Sequence, residues 1–379
     1  MKGAWKVFAR MLHTPLVNWH EAHNGRMVDF AGWRMPVQYS SIVEEHLATR
    51  HAAGMFDVSH MGRLTIRGPH AVSWLDALLS RKILGMRVNQ CRYTLITTED
   101  AILDDAIVSR EPDDADGSPC LGLIVNASNR QRVVEWFNTR VPKEGVTLED
   151  RTSETAMMAI QGPRAVDIVG SLLEVKESQR LAKLSTYTLM HTMIVGHSAM
   201  ISRTGYTGED GVEIVVPASV VREVWEEIYD AGVPQGLHAC GLGSRDTLRL
   251  EAGMPLYGHE LTESSNPFVI GLGFAMTLKD HTFPGYDHFA AMKSAPDSQV
   301  RVGLVFDSKR TARTGCEVFS DETRIGTVTS GSFAPSLGKA VAMAVINCEE
   351  AREGNSVEVM VRGSKQTGRV TPLPFYKRN

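Results

Sequence analysis

A seven-residue pattern occurs twice in this chain. Ile66-Arg67-Gly68-Pro69-His70-Ala71-Val72 returns as Ile160-Gln161-Gly162-Pro163-Arg164-Ala165-Val166, with five of the seven positions identical. Each copy ends a short apolar run, Leu64–Ile66 or Met157–Ile160, that reads as a strand. Each then places a proline at the start of a helical pattern: Val72, Leu75 and Leu79 in the first copy, Val166, Val169 and Leu173 in the second. Proline is tolerated at a first helical position because the N–H it lacks would have no partner there. Two copies of one strand, Gly-Pro and helix unit imply two related α+β halves; a chance match of one short motif is the alternative.

At 379 residues the chain exceeds what one core normally holds, so two or three domains are expected. Ser41-Ile42-Val43-Glu44 has the form of a capping box, opening a helix that Gly54 can close. Val221, Val224, Trp225 and Ile228 form the apolar stripe of a second helix. After about residue 280 the texture changes to short β-rich runs, Val302–Phe306, Gly326–Ser330, Val341–Ile346 and Val357–Val361, separated by Gly and polar turns. This reads as an all-β C-terminal domain, a small barrel or sandwich, with Lys279–Ser298 as the linker region. The expected division is 1–280 for the two α+β domains, interleaved, and 281–379 for the β-rich domain.

Composition excludes several classes. A formal charge of −4 and a pI near 6.4 lack the basic surplus of a nucleic-acid binder, so an anionic ligand must be held by a few placed cations. The five cysteines are scattered with no C-x-x-C, which fits a reducing compartment and no structural zinc. No apolar run reaches the ~18 residues of a membrane span. Residues 1–14 carry Lys2, Lys6 and Arg10 and no acid; they read as a frayed terminus or an organellar remnant, not as a secretory signal. His20-x-x-His23 and His46-x₄-His51 have metal-like spacing without a third ligand, and read as surface or packing residues. Gly241-x-Gly243 lacks the third glycine of a dinucleotide fingerprint, and there is no G-x-S-x-G and no Walker A.

Three segments can carry chemistry. Ala101-Ile102-Leu103-Asp104-Asp105-Ala106-Ile107-Val108 is a strand whose two aspartates point to opposite faces. Both faces are otherwise apolar, so at least one carboxylate sits in an enclosed place, where it needs hydrogen bonds or a partner. The alternative is a strand that ends here with its aspartates capping a turn, and the pattern alone does not choose between the two acids. Ser202–Glu213 is a polar run with three glycines, a tight loop leading to the strand Val212–Val216, where Glu213 stands among apolar neighbours. A carboxylate there suits two parallel N–H bonds from a flat heterocycle such as a pterin; a surface Glu on a hairpin is the alternative. In Gly241–Glu251 a glycine-rich turn enters a helix with Arg245 in its first turn, placed to clamp a carboxylate or simply exposed. Arg249 and Glu251, two apart, do not face each other on that helix.

Together these segments resemble the aminomethyltransferase family, the T-proteins of the glycine cleavage system. Met27-Val28-Asp29-Phe30-Ala31-Gly32-Trp33, Gly54-Met55-Phe56-Asp57-Val58-Ser59-His60-Met61-Gly62, Ile102–Ile107, Gln161-Gly162-Pro163, Ser202–Glu213, Arg249-Leu250-Glu251 and Thr327–Gly331 carry the resemblance, which runs from about Thr14 to Tyr376. It implies an α+β, three-domain cloverleaf around a central folate cavity. It implies that Asp105 is the essential aspartate, with Asp104 structural on the opposite face. Asn126 and Glu213 then correspond to pterin contacts, Tyr93, Tyr187 and Tyr206 to aromatic walls, and Arg245 to a substrate-binding cation. The implied substrates are tetrahydrofolate and the aminomethyl-dihydrolipoyl arm of H-protein, with no metal, nucleotide, nucleic acid or membrane, in a cytoplasmic monomer.

The chain departs from the family pattern near the expected folate approach. Asp100 and Ala101 replace two glycines, Ser109 a tyrosine, and Val269 and Phe274 an expected Glu and Trp. The nearest rival reading is a folate-dependent demethylase on the same fold. A non-catalytic folate-binding protein for iron–sulfur or tRNA maintenance is a further one. Those relatives carry Lys-Gly-Cys-Tyr where this chain has Ala252-Gly253-Met254-Pro255-Leu256-Tyr257.

Overall fold

The two copies of the repeated unit become inner strands of two different sheets. The computed structural model describes residues 11–295 and 298–378, so Lys2, Lys6 and Arg10 lie outside the described residues. Strand Gly62–Arg67 lies between Cys120–Val125 and Thr147–Asp150 in a five-stranded sheet completed by Ile102–Glu111 and Cys91–Thr97. Strand Thr155–Gln161 lies between Gly211–Pro217 and Ala53–Asp57 in a six-stranded sheet, antiparallel to both. The shared glycines have a physical reason. Gly68 and Gly162 hold φ of +120° and +127°, and a Cβ at either would meet a backbone oxygen, Gly145 O at 2.4 Å or Thr49 O at 2.5 Å. The prolines stand one residue before the helix caps His70 and Arg164, outside the first helical positions. Helices Ala71–Asp76 and Ala165–Gly170 are short, and the expected stripe residues Leu79 and Leu173 lie beyond their ends, still in the cores.

The third lobe is a closed six-stranded barrel, in the order Gln299–Phe306, Lys339–Asn347, Thr323–Ala334, Glu317–Ser320, Ser356–Val361 and Ser364–Thr371. Inward positions alternate along each strand, as in Leu304 and Phe306 or Ala342 and Ala344, all fully buried. Strands Glu317–Ser320 and Ser364–Thr371 were too polar to stand out by hydrophobic pattern. The expected linker holds a helix of its own, Tyr286–Ser294, which buries Phe289. Helix Ile42–His51 opens on Ser41, whose side chain accepts the Glu44 N–H, but it closes at Ala52. Gly54 is instead inside the strand Ala53–Asp57, where a Cβ would meet Thr49 Oγ1 at 2.1 Å; the glycine lets helix and strand approach. Helix Val221–Gly232 buries the predicted stripe completely. No helix among the described residues is long and apolar enough to cross a membrane.

Buried charges tie the barrel to the other lobes. Glu251, at the end of helix Leu242–Glu251, is fully buried. Its Oε2 accepts from His46 Nε2 at 3.0 Å and Arg50 Nη2 at 3.2 Å, and its Oε1 accepts the Ser336 N–H at 2.9 Å from the barrel. The guanidinium of Arg50 also reaches Glu209 and lies 3.9 Å above the Tyr376 ring. Next to it, Arg249 pairs with Glu260 at 2.9 Å and donates to Ser330 Oγ of the barrel at 2.9 Å. Removing one member of such a network strands the others without water. Glu251→Ala is expected to lose about 3–5 kcal/mol of stability in urea denaturation; a change below about 1 kcal/mol would show that the network does not join the lobes.

Candidate active site

The three lobes enclose one cavity of about 1050 Å³. The strand Ile102–Glu111 reaches it through a bulge: Ile96 pairs with Asp104 and Thr97 with Ile102, leaving Leu103 as an extra residue. Asp105 lines the cavity, while Asp104 is fully buried behind it. Asn126, just past the neighbouring strand Cys120–Val125, joins the two acids. Its Nδ2 donates to Asp104 Oδ1 and to Asp105 Oδ1, both at 2.8 Å, and its backbone N–H donates to Asp104 Oδ2 at 2.9 Å. Asn129 Nδ2 adds a bond to Asp104 Oδ1 at 2.7 Å, and the Tyr93 hydroxyl donates to Asp105 Oδ2 at 3.0 Å. Burial and the repulsion between the two acids push the Asp104 carboxyl up. Burial also raises Asp105, and Tyr93 and Asn126 only partly offset it.

Opposite the pair, Glu213 stands on Gly211–Pro217 between Ala159 and Ser202 of the adjoining strands, nearly buried. Thr204 Oγ1 donates to Glu213 Oε2 at 2.5 Å, and Oε1 accepts no hydrogen bond among the described residues. The loop carrying Thr204 and Tyr206 is braced from inside. Gln161 Nε2 donates to Thr204 O and Val212 O, each at 3.2 Å, and Thr207 Oγ1 donates back to its Oε1 at 2.9 Å. The glycines of this loop therefore serve the protein's own packing: a Cβ at Gly205 would meet Gln161 Oε1 at 1.9 Å, and one at Gly211 would meet Ile160 O at 2.3 Å.

Helix Leu242–Glu251 aims its first turn at the cavity because Gly241 and Gly243 pack directly on Val37 and Ile42. Arg245 lines the cavity with its guanidinium 5.1 Å from the centre of the Tyr206 ring, and its Nη1 is buried without a partner among the described residues. His60 lies on the segment joining the two sheets, 3 % exposed, with Nδ1 also unpartnered. Burial, helped by the charges of Arg245 and Arg63 and opposed by Asp57, lowers its pKa to about 4, so the imidazole is neutral at pH 7. That segment is rigid. Arg63 donates to Ser59 O at 3.0 Å and Met61 O at 2.6 Å, and Asp57 accepts from His20 Nε2 and the Ser59 N–H, each at 2.9 Å.

All seven residues singled out from the sequence, Tyr93, Asp105, Asn126, Tyr187, Tyr206, Glu213 and Arg245, line this one cavity. Tyr187, half-exposed at the rim, holds a left-handed φ of 59°. Of the departures expected at the approach, only Phe274 lines the cavity, 59 % exposed and 5.7 Å from Tyr93. Ser109 bonds Glu111 on the strand at 3.1 Å, and Val269 packs in a core cluster. Cavity-lining His60, Arg249 and Arg301 were missed as site residues; His60 stood only within a stretch quoted for resemblance, and nothing in the pattern brings Arg301 of the barrel to this place. Of the two histidine pairs, His20 and His46 are packing residues, each fully buried against a carboxylate, and His23 and His51 are surface residues. No group of three or more His, Cys, Asp or Glu among the described residues is arranged to hold a metal. Gly205→Ala is expected to force Gln161 off its carbonyls and lower stability by about 2 kcal/mol in denaturant titration; no change would mean that the loop is not braced through Gln161.

Comparisons with known proteins agree with this architecture. Residues 16–280 match the model of the GCVT N-terminal domain, and 299–377 that of the glycine cleavage T-protein C-terminal barrel domain. The chain is 41% identical over 374 residues to an aminomethyltransferase of Symbiobacterium thermophilum, covering 96% of this chain and 97% of that one. It is 40% identical over 372 residues to one from Shouchella clausii, covering 97% and 99%. The crystal structure of glycine cleavage system aminomethyltransferase T from Bartonella henselae superposes with a TM-score of 0.87 at 31% identity, over 97% of this chain and 98% of that one. The chain belongs to the glycine cleavage T-protein family and is an aminomethyltransferase.

Proposed function

We propose that the cavity holds tetrahydrofolate as acceptor and admits the aminomethyl-dihydrolipoyl arm of a carrier H-protein. In that reaction the methylene carbon bridges two folate nitrogens, ammonia leaves and a dihydrolipoyl thiol remains. The two protons lost by the folate nitrogens end on ammonia and on sulfur. The observation that carries this reading is the distribution of unused polar groups around an otherwise apolar cavity. Glu213 Oε1, Arg245 Nη1 and His60 Nδ1 have no partner among the described residues, and Asp105 faces inward with Tyr93 and Asn126 holding it. A flat heterocycle with N–H donors on one edge and carboxylates at its far end fits such a set.

In this reading Glu213 takes the donor edge of the pterin, with Thr204 fixing its orientation. Tyr93, Tyr187 and Tyr206 supply apolar walls that exclude water, and Arg245, whose Nη1 is unpartnered among the described residues, offers a cation to an anionic ligand. Asp105 handles the folate proton and stabilises positive charge on the carbon in transit. The region 1–280 supplies the folate contacts, and 281–379 closes the cavity from the side of Arg301.

Two substitutions separate binding from chemistry. Asp105→Asn keeps the Asn126 contact through its carbonyl oxygen, turns the Tyr93 contact around so that the phenol oxygen accepts, and removes the proton carrier; kcat for methylenetetrahydrofolate and ammonia formation should fall about 10²–10⁴-fold with folate affinity little changed. Glu213→Gln should instead weaken tetrahydrofolate binding about 10- to 100-fold, the loss of a charge-assisted pair. Wild-type protein that makes no methylenetetrahydrofolate from aminomethyl-loaded H-protein, yet demethylates a sulfonium or aryl ether donor, would replace this reading with the demethylase one.

A further inference from the structure

Strand alternation sets Asp104 apart from Asp105, and on that ground Asp104 is a buried structural acid. The hydrogen bonds say more. One side-chain nitrogen, Asn126 Nδ2, is shared between the two carboxylates at 2.8 Å each, so neither acid can move without the amide that holds the other. Asp104 is fully buried, with three amide N–H donors and no basic side chain on it among the described residues. The titratable groups facing the pair from the elements packed against it are phenols: Tyr93 on the adjoining strand, Tyr206 on the glycine loop and Tyr257 beyond helix Leu242–Glu251. Two carboxylates in one enclosed place, without a cation, cannot both stay ionised at small expense.

We propose that Asp104 is a positioning residue of the transfer reaction: its charge and the shared Asn126 amide set both the place and the proton affinity of Asp105, and the pair carries one proton at neutral pH. The donors are divided unequally. Three N–H groups serve Asp104, whereas Asp105 accepts one amide and one phenol and opens on the cavity. The anion is therefore better solvated on Asp104, and the proton resides on the acid that meets the ligand. The two acids titrate together, and the upward displacement that burial and their mutual repulsion cause belongs to the pair. This rests on the aminomethyl-transfer reading. Asp105 gives its proton to the departing amine as the C–N electron pair leaves with ammonia. The carboxylate so formed takes up a proton that a folate nitrogen releases as it bonds the methylene carbon, which restores the pair for the next turnover. The thiolate takes the other folate proton.

The sign of the effect follows. Removing the Asp104 charge lowers the proton affinity of Asp105, so the protonated form is lost at a lower pH. For Asp104→Asn, the alkaline limb of the kcat–pH profile should move down by more than one unit, with tetrahydrofolate affinity changed less than about threefold. A uniform loss of rate with an unmoved profile, or an upward shift, would overturn the proposal and leave Asp104 as structural. If Asp104→Asn does not fold, carboxyl-¹³C aspartate titration of wild type and Asp105→Asn decides. A carboxyl titrating near neutrality in wild type should be absent from Asp105→Asn; its persistence there, or its absence from wild type, would overturn the coupling. Both readouts are distinct from the failure of the functional reading, which would appear as wild-type protein without transferase activity while the ¹³C titration still reports on the pair.

Discussion

Asn126 spans two carboxylates that the fold has taken out of water, and much of the site is arranged around that bridge. The amide reaches both acids from its place immediately past the neighbouring strand, beside the regularly paired Asp104 and Asp105. The donors then come from two sides: Tyr93 from one neighbouring strand, Asn126 and Asn129 from the segment past the other. Buried carboxylates are tolerated where hydrogen bonds replace hydration. Here the replacement is deliberate but incomplete, which leaves the pair with a high proton affinity at a place open to a ligand.

The rest of the molecule keeps such a cavity open. An apolar void of this size between three lobes would collapse if the lobes were free to slide, since close packing is the rule in protein interiors. Buried ion pairs prevent this at several points. Glu251 gathers His46, Arg50 and a barrel N–H, and Arg249 joins Glu260 to Ser330 of the barrel. The wall opposite is stiffened from behind: Arg63 and Asp57 fix the segment bearing His60, and Gln161 fixes the loop bearing Tyr206. The polar groups left without partners are therefore held in place before a ligand arrives, which lowers the ordering cost of binding.

The large features were legible in the sequence because each had a strong local cause. The doubled Gly-Pro unit demands the same left-handed glycine in both halves, and the short β-rich runs after about residue 280, readable as a barrel or a sandwich, close as a barrel. The residues of the candidate site stood out where chemistry and pattern disagreed, as with charged Asp104, Asp105 and Glu213 inside apolar strands. Other parts were hidden for physical reasons. Helix Tyr286–Ser294 has too weak an apolar stripe to be seen in what looked like a linker, and Gly54 looks like a helix stop yet serves close packing within a strand. The positions of His60 and Arg301 depend on contacts between lobes, and a linear pattern does not encode these. The Asn126 bridge is of the same kind, because alternation separates two side chains but says nothing of a third that reaches both.

In the proposed function, one cavity holds the folate between Glu213 and the aspartate pair. A crystal structure of the protein with tetrahydrofolate bound tests it most directly. The account predicts the pterin donor edge on Glu213, the folate nitrogens that accept the methylene within hydrogen-bond reach of Asp105, and the Asn126 bridge intact. Folate bound outside this cavity, or inside it with the reacting nitrogens turned away from Asp105, would contradict the account.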